Sequence, residues 1–236
     1  MATANLPVEL HTHTVSDKLD MNIPCRLNPV SQKAMRIITN QHIRWRDPAI
    51  TVRFGFTGLT VPESISLVRS RLRKQFPELD RPNQCVYVVR LKGPVAIDYG
   101  NDFSPVIYIG EGNAAQRLHG HANWIAELLI AVPNVEVEVR VADCVRTGDS
   151  SLCQYVEADL IEMFFDKYGC LPWFNRQRER KFLGKRHYDA DVITEFSKRV
   201  GKVSGSNYLW AIRPTHNNSQ YPAYVAGQGG GWQQDA

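Results

Sequence analysis

Two tyrosines stand in short β-branched runs, Tyr87 in Cys85-Val86-Tyr87-Val88-Val89 and Tyr108 in Val106-Ile107-Tyr108-Ile109-Gly110. Arg117 follows Gly110 by seven residues, and His121 follows Arg117 by four. The second spacing sets arginine and histidine on one helix face beside Trp124, with His119 pointing nearly opposite. A phenol with its ordinary pKa of about 10 is a poor base at neutral pH, but an adjacent cation stabilises its ionised form. A guanidinium stays protonated, and its planar donors suit phosphate oxygens and developing negative charge. An imidazole titrates near neutrality, so His121 can accept a proton where Arg117 cannot.

Glu157 adds a carboxylate. Leu160, Ile161 and Phe164 follow it at three, four and seven residues, so it shares an edge of an apolar helical stripe. A carboxylate there is costly unless it meets a cation or strong donors. Magnesium fits, because it keeps several waters and is commonly held by one or two carboxylates plus substrate phosphate. Asp159, Glu162 and Asp166 fall on another face and read as solvated surface. Asn175 closes Leu171-Pro172-Trp173-Phe174-Asn175, where an amide can bond a metal-bound water or fix Glu157. Singly, each residue also has an ordinary reading: a glutamate paired with an arginine, core tyrosines with hydroxyls at the rim, a surface arginine, a histidine packed on Trp124, a loop asparagine.

The elements that must hold these groups can be read locally. Val86–Leu91 and Val106–Ile109 are strand-like, Asn113 caps a helix from Ala114 to about Val132, and Val135–Val141 alternates with period two. A Gly148-Asp149-Ser150 turn leads to a helix that runs to Tyr168 and stops at Gly169. The order β-β-α-β-α predicts an α+β fold, a small three-stranded sheet flanked by helices. Upstream lie a polar arm over residues 1–28, a helix from about Val30 to Ile43 broken at Asp47-Pro48, and a strand over Ile50–Phe56. Thr60 and Glu63 form a capping box around Pro62, opening a helix to about Phe76. We therefore divide the chain into an N-terminal extension at 1–80, a core at 81–186 and a C-terminal extension at 187–236. Beyond Lys202 the sequence reads as a loose tail, within which Ser206–His216 is expected to pack as a final strand.

The 236 residues carry a formal charge of +4, which permits a nucleic-acid partner without demanding one. The basic residues cluster at Arg69, Arg71, Arg73 and Lys74, and again in Arg176–Arg186, where six basic residues face one glutamate. Five cysteines without a C-x-x-C pair argue against a structural zinc site and a disulfide framework, and for a reducing compartment. No signal-peptide pattern and no apolar run of bilayer length is seen, so a soluble, cytoplasmic protein with no membrane partner is expected.

The ordered set Tyr87, Tyr108-Ile109-Gly110, Arg117, Glu157 and Asn175 resembles the GIY-YIG family of metal-dependent DNA nucleases. The resemblance covers Gln84 to Asn175. Its second half is intact, while Cys85-Val86-Tyr87 stands where the family has glycine, isoleucine and tyrosine. His121 and the long Lys92–Pro105 loop are similar to restriction-type members. The resemblance implies an endonuclease that hydrolyses double-stranded DNA with Mg²⁺, or Mn²⁺ as a substitute, held by Glu157. It makes Tyr87 the general base or its partner, with Tyr108 and Arg117 orienting water and phosphate. Arg176, Arg178, Arg180, Lys181, Lys185 and Arg186 would then contact the DNA backbone, the alternative being a solvated charged face. A palindromic target would favour a homodimer. A restriction or defence role is the first expectation. The alternatives are a repair, recombination, mobile-element or toxin nuclease, or a catalytically silent DNA-binding module.

Overall fold

Alternation along Val135–Val141 and the two tyrosine-bearing runs build the centre of the fold. The computed structural model describes residues 37–53, 59–75, 85–132, 134–145, 149–178, 181–184, 186–202 and 207–227. The elements run β1 (Ile43–Trp45), β2 (Ile50–Arg53), α1 (Val61–Gln75), β3 (Cys85–Lys92), β4 (Val95–Asp98), β5 (Phe103–Ser104) and β6 (Val106–Gly112). They continue as α2 (Ala114–Ala131), β7 (Glu136–Cys144), α3 (Leu152–Tyr168), α4 (Ala190–Val200), β8 (Trp210–Ile212) and α5 (Tyr221–Gly227). The fold is α+β, as expected.

The main antiparallel sheet has the order β1-β7-β3-β6, with β2 also on β7. It has five strands where the sequence led us to expect three. Ile43 pairs with Cys144 and Ile50 with Val139, so residues 43–53 lie as one interrupted strand along β7. This replaces the C-terminal end of the helix expected over Val30–Ile43. Residues up to 36, and Phe54–Phe56 of the strand expected over Ile50–Phe56, lie outside the described residues. The physical reason is pairing: without residues 43–53, β7 would present an open edge. Buried Ile43 and Val52 instead join the core, and α1 packs on α2. The expected boundary at residue 80 therefore falls inside this unit.

Helix ends follow their local chemistry. Glu63 accepts hydrogen bonds from the Thr60 amide and hydroxyl, both at 2.7 Å. Asn113 accepts from the Gln116 amide at 3.0 Å to start α2, and Gly169, at φ 77°, ends α3. Every residue of β3 from Cys85 to Leu91 is buried, so the sheet is covered on both sides. By register Trp45 lies on the face opposite the tyrosines, and there Arg199 of α4 stacks over its ring at 4.9 Å. On that same face Glu138 is ion-paired with Arg90 and Arg140.

The long segment between the tyrosines is not a plain loop. β4 pairs antiparallel with β5 and parallel with β8, forming a second sheet that draws in the C-terminal region. The expected final strand is thus present at Trp210–Ile212, while the expected loose tail gains both this pairing and α5. Cys144 and Cys153 are joined by a disulfide, with Cα atoms 5.7 Å apart, contrary to our reading of the cysteine count. The count could not show that the end of β7 and the first turn of α3 meet. Among the described residues, no helix is long and apolar enough to cross a membrane.

Candidate active site

Register explains why the tyrosines meet. Tyr87 pairs with Gly110 and Tyr108 with Val89, and opposed residues in a ladder share a face. The ring centroids lie 5.9 Å apart. A Cβ at Gly110 would come within 2.6 Å of Tyr108 Cε1 and 2.7 Å of Tyr87 Oη. Only glycine leaves room for both rings over β6. The sequence reading used Gly110 as a motif letter and missed this packing role.

α2 closes over the same face. His121 lies with its ring 4.7 Å from that of Tyr108, and its Nε2 3.5 Å from Tyr87 Oη. The cap at Asn113 sets the phase of α2, so the four-residue spacing carries Arg117 to this end as well. Arg117 is exposed, its Nε near the space above Gly112, and its charge acts on both phenols and on His121. From α3, half-buried Glu157 acts electrostatically on both phenols. Tyr87, Tyr108 and His121 are therefore in contact, with Arg117 at the same end of α2 and the Glu157 charge reaching both phenols.

Their protonation follows from this setting. Burial first, then coupling to Tyr108, pushes the Tyr87 phenol far above its usual range. Burial and the Glu157 charge also raise Tyr108, while the hydrogen bond from Tyr87 and the Arg117 charge oppose the rise. Burial and then Arg117 lower His121, so the imidazole is neutral at pH 7. Tyr87 is wholly inaccessible, whereas Tyr108 is half-exposed. Of the two phenols, Tyr87 is the harder to ionise and so the less suited to act as a base, whereas the resemblance made it the general base or its partner. A proton at neutral pH has neutral His121 as its ready acceptor.

Asn175 has a different task from the one expected. Its Nδ2 donates to the Ile109 carbonyl at 2.8 Å, and its Oδ1 accepts from the Ile109 amide at 2.9 Å. The Phe174 amide donates to Ile107 at 2.9 Å. The segment after α3 thus clips onto β6 on either side of Tyr108, and the buried Asn175 amide is spent on backbone.

The basic run divides. Arg178 pairs with Glu162 and stacks over Phe165 at 4.3 Å. Arg186 pairs with Asp149 at 2.8 Å and lies over Tyr155 at 3.9 Å. Both arginines, expected to contact DNA, are engaged by acidic partners distant in sequence within the chain. Arg176 and Lys181 are exposed, while Arg180 and Lys185 lie outside the described residues. Two acidic residues read as solvated surface are corrected too: Glu162 holds Arg178, and half-buried Asp159 accepts from the Tyr188 hydroxyl at 2.6 Å. A second cationic surface, a groove of about 360 Å³ between α1 and α2, is lined by Arg69, Arg73, Gln116 and His119.

Among the described residues, no three histidine, cysteine, aspartate or glutamate side chains gather into a metal cage. One carboxylate whose charge reaches both phenols is the kind of donor that a hydrated magnesium ion completed by substrate phosphate would use. No protein-family model, curated protein or solved structure matches this chain.

Proposed function

We propose that the protein is a magnesium-dependent endonuclease of the GIY-YIG kind, hydrolysing a phosphodiester of double-stranded DNA in a restriction or defence role. What supports the reading is the contact of Tyr87, Tyr108 and His121 from two strands and α2, with the Arg117 and Glu157 charges acting on both phenols. Arg117 binds the phosphate and stabilises the charge that builds on its oxygens as water adds and the P–O bond breaks, the leaving oxygen taking a proton from solvent water. The proton of the attacking water passes toward neutral His121, with the Tyr108 hydroxyl beside it to orient the water. Tyr87, packed against Tyr108 with ring centroids 5.9 Å apart, fixes its ring. Glu157 would hold magnesium, which supplies charge neutralisation for the phosphate and a more acidic water. Exposed Arg176 and Lys181 and the α1–α2 groove offer backbone contacts for DNA.

Supercoiled plasmid incubated with Mg²⁺, with EDTA, and with the Glu157→Ala and Arg117→Ala proteins tests the proposal. Nicking or linearisation is expected only from wild type with metal, while Arg117→Ala retains DNA. Equal cutting by Glu157→Ala would remove that carboxylate from the mechanism. DNA retention without any cutting by the wild type would leave a silent DNA-binding module. Plasmids with and without methylation separate a restriction enzyme, which gives discrete protected bands, from a repair, mobile-element or toxin nuclease.

A further inference from the structure

The aromatic contacts of the site continue beyond it. Trp124, 5.5 Å from the His121 ring, stacks on Phe174 at 4.2 Å and 21°, and Phe174 stacks on Trp173 at 5.0 Å and 19°. Trp173 in turn lines a cavity of about 240 Å³ built from the second sheet and the loop before α5. Its backbone amide donates to the Tyr99 hydroxyl at 3.1 Å, and the next amide donates to Ile107. The cavity is thereby fixed relative to Tyr108.

The lining indicates what would fit. Ile97, Leu171, Ile212 and Pro214 make apolar walls, and Asp98, Arg213, Asn218 and Gln220 supply polar groups. Asp98 is held in orientation, accepting from the Gly100 amide at 3.0 Å and the Tyr224 hydroxyl at 3.1 Å. A lining that holds one carboxylate and one guanidinium among amides and apolar walls is a poor host for phosphate. It suits a flat, neutral heterocycle whose edge offers both donors and acceptors. The volume lies below the range of about 300–1,000 Å³ for drug-sized ligands, so one ring system would fill it.

We propose that this cavity receives a nucleobase displaced from the bound DNA strand, with Trp173 as its stacking surface and Asp98, Asn218 and Gln220 against its edge. The proposal rests on the DNA-cleaving reading and adds to it a contact that discriminates between bases. Stacking on an aromatic offsets the cost of unpairing, and that cost is already met where the base has no partner.

The test uses the full-length protein in EDTA and follows fluorescence anisotropy of a duplex carrying one unpaired 2-aminopurine and of its fully paired counterpart. The unpaired duplex is expected to bind about tenfold more tightly, and Trp173→Ala should abolish that preference. Gln220→Ala, at the rim and away from the core, should weaken the preference with thermal unfolding unchanged. A preference that survives both substitutions overturns the proposal. Free 2-aminopurine riboside separates a strand base from a nucleoside ligand: saturable binding of the riboside alone, without any preference between the duplexes, overturns the strand-base assignment. Cutting of plasmid by wild type and Trp173→Ala alike, with no duplex preference, removes the pocket but keeps the nuclease. Absence of both DNA retention and cutting by the wild type removes both.

Discussion

The two sheets of this protein are built to different standards. In the main sheet, β3 is buried on both faces and is paired on both edges over nearly its whole length, so Tyr87 is held by register, by Gly110 and by α2 at once. The second sheet has strands of two to four residues, and its outer strand leaves Trp210, and Leu209 just before it, 71% and 74% exposed. One region fixes the groups of the proposed active site. The other forms a cavity whose polar lining comes largely from turns. Chemistry demands the first and selection tolerates the second, because a small displacement of a reacting group costs far more than the same displacement of a recognition contact.

The sharpest way to break this contrast is Glu138→Ala, which strands buried Arg90 on the main sheet. A loss of about 3–5 kcal/mol is expected in urea unfolding. Burial would raise the Glu138 carboxyl, but Arg90 and Arg140 hold it below its ordinary 4.5. The stability it contributes is present above that pH and is lost as the pH falls through the lower folded value, so acid unfolding should begin below pH 4.5. Gly110→Ala should cost about 2 kcal/mol from overpacking and also abolish plasmid nicking, because both phenols must move. Full activity in the Gly110→Ala protein would dismiss the close approach as unimportant.

A smaller effect sharpens the account of the proton. His121 titrates below its ordinary 6.5, so the acid limb of cleavage should lie below pH 6.5, and His121→Gln should cut the rate sharply and leave the residual cleavage without that limb. The sign for stability is the same: the unfolded chain binds this proton first, so lowering the pH through that window destabilises the fold. At the bottom of the range, Trp210→Ala on the second sheet should change unfolding by less than about 0.5 kcal/mol. A cost as large as that at Gly110 would show the two sheets to be equally constrained.

What could be read from the sequence was local. Thr60 with Glu63, Asn113 before α2 and Gly169 after α3 declare themselves within four residues, because caps bond to their own helix. The chemistry-bearing types along β3, β6, α2 and α3 were likewise legible from spacing. Partners far apart were not. Arg178 meets Glu162 across 16 residues and Arg186 meets Asp149 across 37, so a basic run that looked free is partly consumed. Residues 43–53 pair with a strand some ninety positions later, and β4 pairs with β8 across a still longer separation. Nothing in either local pattern names its partner. Asn175 was flagged for the right neighbourhood and the wrong bond, since an amide after a helix gives no hint that Ile109 will take both its ends.

That clip has a bearing on how the molecule behaves at high concentration. β6 is the outermost strand of its sheet, and an outermost strand invites a foreign strand to align with it. Phe174 and Asn175 occupy the Ile107 carbonyl and both polar groups of Ile109, leaving an intruder little to grip. Asn175→Ala, at a cost of about 1–3 kcal/mol, should therefore produce chains that polymerise, seen as rising light scatter well before they melt.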